Sequence, residues 1–256
     1  MNETSPQDPS IICRGLQKHY DQGQVRALDG VDLEVARGEF LAIMGPSGSG
    51  KSTLLHLLGA LDVPTAGSIQ ILGQDLASVS DIDRLRSHTV GFVFQLHNLI
   101  PNLTLRENVA IPMFARRGVS RSRKHQRAGE LLERVGLGHR ADFLPVKVSG
   151  GERQRAAIAR ALVNDPDIIL ADEPTGSVDS ATGGRILDLL REVQAERGTT
   201  LILITHNEEL ARQADRIVHL QDGRVRQVVS GGAAQRGQPM ASASSSATSP
   251  SALPTT

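Results

Sequence analysis

The sequence predicts an α/β fold built on a mainly parallel sheet. Three observations carry this: short, continuously apolar runs, helical patterns between them, and a glycine-rich turn placed between one such run and the following helix. Phe40–Met44, Val90–Phe94, Ile168–Ala171, Leu201–Thr205 and Ile217–Leu220 are continuously apolar but for Thr205 and His219, as strands covered on both faces are. Ile11–Leu16 and Val31–Val35 alternate partially and are flanked by turn residues such as Asp21, Gly23, Asp29 and Gly30, which suits antiparallel strands. Helices are expected over Lys51–Leu61, Gln126–Val135, Glu152–Leu162, Thr182–Arg197 and Asn207–Ala214. The stretch Pro101–Lys147 lacks strand signals and reads as a helical insertion.

A length of 256 residues allows one large domain or two small ones, at roughly 150 residues per domain. Twenty-eight Lys/Arg balance 28 Asp/Glu, and the aromatics are five Phe and one Tyr. A nucleic-acid binder would carry a basic excess or aromatic platforms, so no nucleic-acid partner is expected. The neutrality is nevertheless a cancellation. Residues 84–160 hold fifteen Lys/Arg against five Asp/Glu, and Arg116–Arg127 holds six basic residues and no acid. Such a run is ordinarily a solvated surface, although anionic lipid or an acidic protein face would also attract it. Cys13 is the lone cysteine, which suits a reducing compartment and a buried strand position.

No run is long enough to span a membrane, and residues 1–10 are polar without the basic start of a signal peptide. The chain is therefore expected in the cytoplasm with no span of its own. Residues 1–10 read as a flexible tail, and 230–256, rich in Ser, Ala and Pro with Arg236 the single charge, as a disordered one. The folded domain is expected over 11–229.

Gly45, Pro46, Ser47, Gly48, Ser49, Gly50, Lys51, Ser52 and Thr53 match G-x-x-x-x-G-K-[ST] between a strand and a helix, the context of a phosphate loop. Glycine turns backbone N–H groups toward the phosphates, and the helix N-terminus favours the anion. Lys51 is expected at the β- and γ-phosphates, and the Ser52 hydroxyl on Mg²⁺. The apolar run ending in Asp172 and Glu173 supplies a metal-associated carboxylate and a second one placed to polarise water. Together these predict a P-loop NTPase.

Val148–Leu162 (VSGGERQRAAIARAL) is more discriminating. Ser149 and Glu152 form a capping box, while Gly150 and Gly151 would allow close approach of an anion. A second anion site beside a complete phosphate loop suggests a nucleotide shared between two chains.

With VSGGE, RQRAAIARAL and LADEPTG, the sequence resembles nucleotide-binding subunits of ATP-binding cassette transporters over about Ile11–Val228. The resemblance implies an ABC ATPase core with a mainly parallel sheet, an antiparallel β subdomain and a helical subdomain at about 96–160. It also implies Mg-ATP sandwiched in a homodimer, ATP hydrolysis coupled to integral membrane permeases, and a peripheral place on the inner face of the cell membrane. Tyr20 would stack on adenine, Gln95 would sense Mg²⁺ and the attacking water, His206 would contact the γ-phosphate, and Asp179 would communicate across the dimer. Val148, Glu152 and the Ser177-Val178-Asp179 triplet depart from the commonest pattern. Phe94–Met113 resembles subunits paired with permeases that carry large extracytoplasmic domains, as in lipoprotein release and macrolide export. A cell-division ATPase that regulates wall hydrolases is the alternative within that group. Leu99, Ile100, Pro101 and Leu105 are candidates for the groove that receives a permease helix. DNA-repair relatives are disfavoured by the absence of a long heptad insertion.

Overall fold

The computed structural model describes residues 9–116 and 118–232. Its elements are β1 (Ile11–Tyr20), β2 (Val25–Val35), β3 (Phe40–Met44), α1 (Lys51–Leu58), β4 (Ala66–Ile71), β5 (Gln74–Asp75), α2 (Ile82–Thr89), β6 (Val90–Val93), α3 (Leu105–Ala110), α4 (Arg121–Arg134), α5 (Gly150–Leu162), β7 (Ile168–Asp172), α6 (Ser180–Arg197), β8 (Thr200–Ile204), α7 (Glu208–Ala211), β9 (Arg216–Gln221) and β10 (Arg224–Ser230). Two sheets form, one antiparallel in the order β2-β1-β4-β5 and one of six strands in the order β10-β9-β3-β8-β7-β6. In the larger sheet every pair is parallel except β9 with β10.

The apolar runs are explained by where their side chains go. Along β3, Phe40, Ala42 and Met44 enter one core with α3, α4, α5 and α6, while Leu41 and Ile43 enter another with α1 and the antiparallel sheet. Each parallel strand is thus sealed on both faces, which leaves no polar alternation in its sequence. Leu54, Leu55, Leu57 and Leu58 are all fully buried, so α1 is enclosed by the second core. The helix stops at Leu58 instead of continuing to Leu61 because Gly59 follows and Ala60 adopts φ of 53°.

Other differences follow from charge and exposure. The α2 helix has one buried residue, Thr89, and β10 is exposed at most positions, so neither shows a hydrophobic period. Asp81 and Ser120 start α2 and α4, accepting hydrogen bonds from Arg84 N at 3.0 Å and Arg123 N at 3.2 Å. Between β6 and β7 the described residues form only helices. The basic run is partly absorbed locally, since Lys124 is buried over the Phe114 ring and Arg127 pairs with Asp165.

The expected tail limits shift at both ends. Ser10 is buried, and its hydroxyl shares a 2.6 Å hydrogen bond with Thr200. Ser230 is the last residue of β10, in register with Arg216. The remainder of the expected tails, 1–8 and 233–256, lies outside the described residues. No helix among the described residues is long and apolar enough to cross a membrane.

Candidate nucleotide site

Three neighbouring strands deliver the site. The β3 strand lies beside β8, and β8 beside β7. The phosphate loop leaves the end of β3, Asp172 is the last residue of β7, and His206 follows the end of β8. Because parallel strands point their carboxyl ends the same way, residues far apart in sequence converge at one sheet edge.

The phosphate loop is shaped by its glycines. Gly48 and Gly50 take φ of 78° and 99°, and Gly50 starts α1. A Cβ at Gly50 would collide with the Ala27 carbonyl oxygen and come within 2.9 Å of Leu28 Cδ2, while one at Gly45 would collide with the Leu220 carbonyl. The loop is therefore pressed against β2 and the turn between β9 and β10, where Gly223 N donates to Ser49 O at 3.1 Å. Ser49 Oγ is buried without a hydrogen-bond partner. Lys51 Nζ donates to the carbonyls of Gly45 at 2.9 Å and Pro46 at 2.8 Å, folding its ammonium back onto its own loop. Pro46, Ser47 and Ser52 are exposed, and Thr53 is half-buried.

At the end of β7 the backbone turns sharply. Glu173 adopts φ of 47°, and its N–H still donates to Ile204 O at 3.0 Å. A left-handed conformation at a non-glycine residue is a local strain, and such strain clusters at active sites. The carboxylate is largely shielded, 17% exposed, and lies 2.8 Å from Nδ1 of the exposed His206 ring. With its proton on Nδ1, His206 donates to that carboxylate. Thr205 beside it is buried and accepts from Asn207 N at 3.0 Å, which steers the chain into α7.

Gln95 lies in the turn after β6 and is exposed. Its carbonyl accepts from Ser177 Oγ at 3.3 Å, and a Cβ at Gly176 would lie 3.0 Å from its Nε2. The following residues, His97 and Asn98, take φ of 63° and 47°. Arg160 on α5 donates to both of their carbonyls, at 2.8 and 2.5 Å. Burial, helped by nearby Arg153, lowers the His97 pKa and favours its neutral ring.

Ser149 and Glu152 form the expected capping box: Ser149 N donates to Glu152 Oε2 at 2.7 Å, and Glu152 N to Ser149 Oγ at 3.2 Å. These bonds hold the Glu152 carboxyl below its usual pKa despite partial burial. A Cβ at Gly150 would lie 3.6 Å from the Ser177 carbonyl oxygen, and one at Gly151 2.9 Å from Thr182 Cγ2. The signature glycines thus border the Ser177–Thr182 segment of their own chain. Asp179 caps α6 by accepting from Thr182 N at 2.9 Å, and these bonds lower its pKa.

Tyr20 ends β1, and burial together with the Asp62 carboxylate raises the pKa of its hydroxyl. Its ring is 37% exposed. Of the groove candidates, Leu105 is corrected: it is fully buried in the core, because α3 turns it toward α4 and α5. Leu99 packs against the same core, whereas Ile100 and Pro101 are exposed. An open cavity of about 460 Å³ lies instead between Leu61, Phe92, Phe94, Ile111, Pro112 and Arg160. The two Phe rings stack there at 5.5 Å. Sequence reasoning missed Phe92 and Arg160 because nothing local distinguishes a groove wall from a core position.

A glycine-shaped phosphate loop at a parallel-sheet edge, beside a strained glutamate paired with histidine, defines a nucleotide-hydrolysing cassette. The family described as ABC transporter matches residues 28–176, and the chain belongs to it. It is the ATP-binding and ATP-hydrolysing subunit of an ABC transporter. The chain is 49% identical over 216 residues to lipoprotein-releasing system ATP-binding protein LolD 1 of Rhodopseudomonas palustris, covering 82% of this chain and 96% of that one. Identity to LolD of Xylella fastidiosa is 48% over 238 residues, covering 90% and 99%. Among solved structures it is similar to the cassette MJ0796, captured as a dimer in a post-hydrolysis state with ADP and Pi. There the TM-score is 0.81, with 43% identity over 86% of this chain and 98% of that one.

Proposed function

We propose that the chain drives a membrane permease of the lipoprotein-releasing kind, working as a homodimer held by that permease at the inner face of the cell membrane. Residues 10–230 act as the ATPase domain, with residues of about 96–160 as its helical part. ATP lies between the phosphate loop of one copy, Gly45–Thr53, and Ser149–Glu152 of a second copy, with Tyr20 stacked on adenine and Asp179 at the dimer contact. The supporting observation is the shared edge of β3, β8 and β7, which gathers Lys51, His206, Asp172 and Glu173.

The orphaned Ser49 hydroxyl and the glycine-shaped loop at the start of α1 suit a triphosphate. Among the described residues no group of three or more His, Cys, Asp or Glu is arranged to hold a metal. Ser52, Asp172 and Gln95 would hold Mg²⁺, an ion that prefers few carboxylates and keeps several waters. When bound, Mg²⁺ neutralises charge building on the β- and γ-phosphate oxygens. Lys51 leaves its own carbonyls for the β- and γ-phosphates. Glu173 accepts a hydrogen bond from the water that attacks the γ-phosphorus, and the bond to the β–γ bridging oxygen breaks as ADP leaves. His206, which follows the end of β8, contacts the γ-phosphate.

The Glu173→Gln variant tests this reading. It should bind ATP with near-normal affinity, lose about 10²- to 10⁴-fold in turnover, and elute as a dimer in ATP. Near-normal turnover would overturn the role of Glu173. Purifying the intact complex from membranes tests the partner, and a permease without a large extracytoplasmic domain would count against lipoprotein release.

A further inference from the structure

Tyr20 is exposed, and an exposed ring is a useful platform only if something holds it. Its hydroxyl donates to Asp62 Oδ2 at 2.9 Å. The other carboxylate oxygen accepts from Lys18 Nζ at 2.6 Å and from Val63 N at 2.7 Å. The same ammonium donates to Val63 O at 2.8 Å and lies 5.0 Å from the Tyr20 ring centroid. Two backbone ties run alongside: Thr65 N donates to Gln17 O at 2.8 Å, and His19 N to Thr65 Oγ1 at 3.0 Å. Asp62 thus stands where the chain leaving α1 is sewn to the end of β1. The helix that begins at Lys51 delivers, at its far end, the carboxylate that grips the ring.

We infer that Asp62, assisted by Lys18, is a positioning residue that fixes the Tyr20 ring as the platform for the purine base. The inference rests on the assignment of Tyr20 to adenine and extends it. Two partners constrain the ring: the Asp62 bond anchors its tip, and the Lys18 ammonium covers part of one face and opposes its rotation. Without the bond the ring keeps its contact area and loses its fixed orientation, so the cost falls on recognition of the base. The phosphates are gripped elsewhere and feel no change.

That split is the test. ATP and inorganic triphosphate, each with Mg²⁺, are titrated against wild type, Asp62→Ala, Tyr20→Phe and Tyr20→Ala. Removing one net hydrogen bond should raise the Kd for ATP about three- to tenfold in Asp62→Ala. The Kd for inorganic triphosphate should stay within about twofold, since that ligand has no base for the ring to hold. Tyr20→Phe removes the hydroxyl without touching the Asp62 segment, and should reproduce the loss even if Asp62→Ala folds poorly. Equal weakening of both ligands would mean that Asp62 only braces the fold, and would overturn the inference. So would unchanged ATP affinity in Asp62→Ala and Tyr20→Phe while Tyr20→Ala binds weakly, which leaves the Tyr20 assignment standing. Unchanged ATP affinity in Tyr20→Ala would remove the platform itself and the inference with it.

Discussion

Replacing Arg160 with alanine should loosen the turn that carries Gln95 and lower ATP turnover without emptying the phosphate loop. The turn holds two consecutive left-handed residues, His97 and Asn98. Each costs about 1–3 kcal/mol outside glycine, with asparagine at the low end. Arg160 donates to the carbonyls of those same two residues, at 2.8 and 2.5 Å. A hydrogen bond from a charged group contributes about 1.5–3 kcal/mol, so the pair offsets a strain of similar size. Because the two bonds share one guanidinium they do not add in full, and a loss of about 2–4 kcal/mol is expected. In a domain of this size that lowers Tm by about 4–16 °C. Hydrogen exchange should rise in residues 95–100 well before it rises in β3 or β8, and kcat should fall more than ATP affinity. Arg160→Lys should fall between the two, since an ammonium keeps the charge without the planar fork. Wild-type exchange in this turn together with wild-type turnover would refute the reasoning.

Two further outcomes follow from the packing. Gly50→Ala places a Cβ against the Ala27 carbonyl and Leu28 at φ of 99°; about 2–4 kcal/mol of stability and most ATP binding should be lost, and a normal melting curve with normal binding would contradict the packing. Cys13 is fully buried, and burial pushes its thiol up to about 12 from 9.0. It should resist alkylation in the folded chain at pH 8 to 9 and react on unfolding. Between about pH 9 and 12 the folded state keeps a proton that the unfolded state sheds, so stability should decline as pH rises through that window; Tm measured across it checks the sign.

The sequence exposed those parts of the fold whose burial is uniform. The five apolar runs became β3, β6, β7, β8 and β9, since strands sealed on both faces leave no other composition open. It concealed α2 and β10, which lie at the surface and bury little. Lys51, Ser52, Asp172 and Glu173 could be proposed from sequence because they lie in contiguous motifs. Asp62 and Arg160 were not, because each acts across tertiary contacts: Asp62 reaches Tyr20 and Arg160 reaches His97. The left-handed turn at His97 and Asn98 was equally hidden, since neither residue type demands it.

The turn between β9 and β10 presses on the phosphate loop through Leu220 and Gly223. The loop occupies residues 45–53, yet its support lies some 170 residues later in the chain. During synthesis the motif emerges early and waits without its brace until nearly the whole domain has left the ribosome. A chain halted before Gly223 would carry the intact motif without the Gly223 bond to Ser49, so the loop takes its final shape only as the domain is completed.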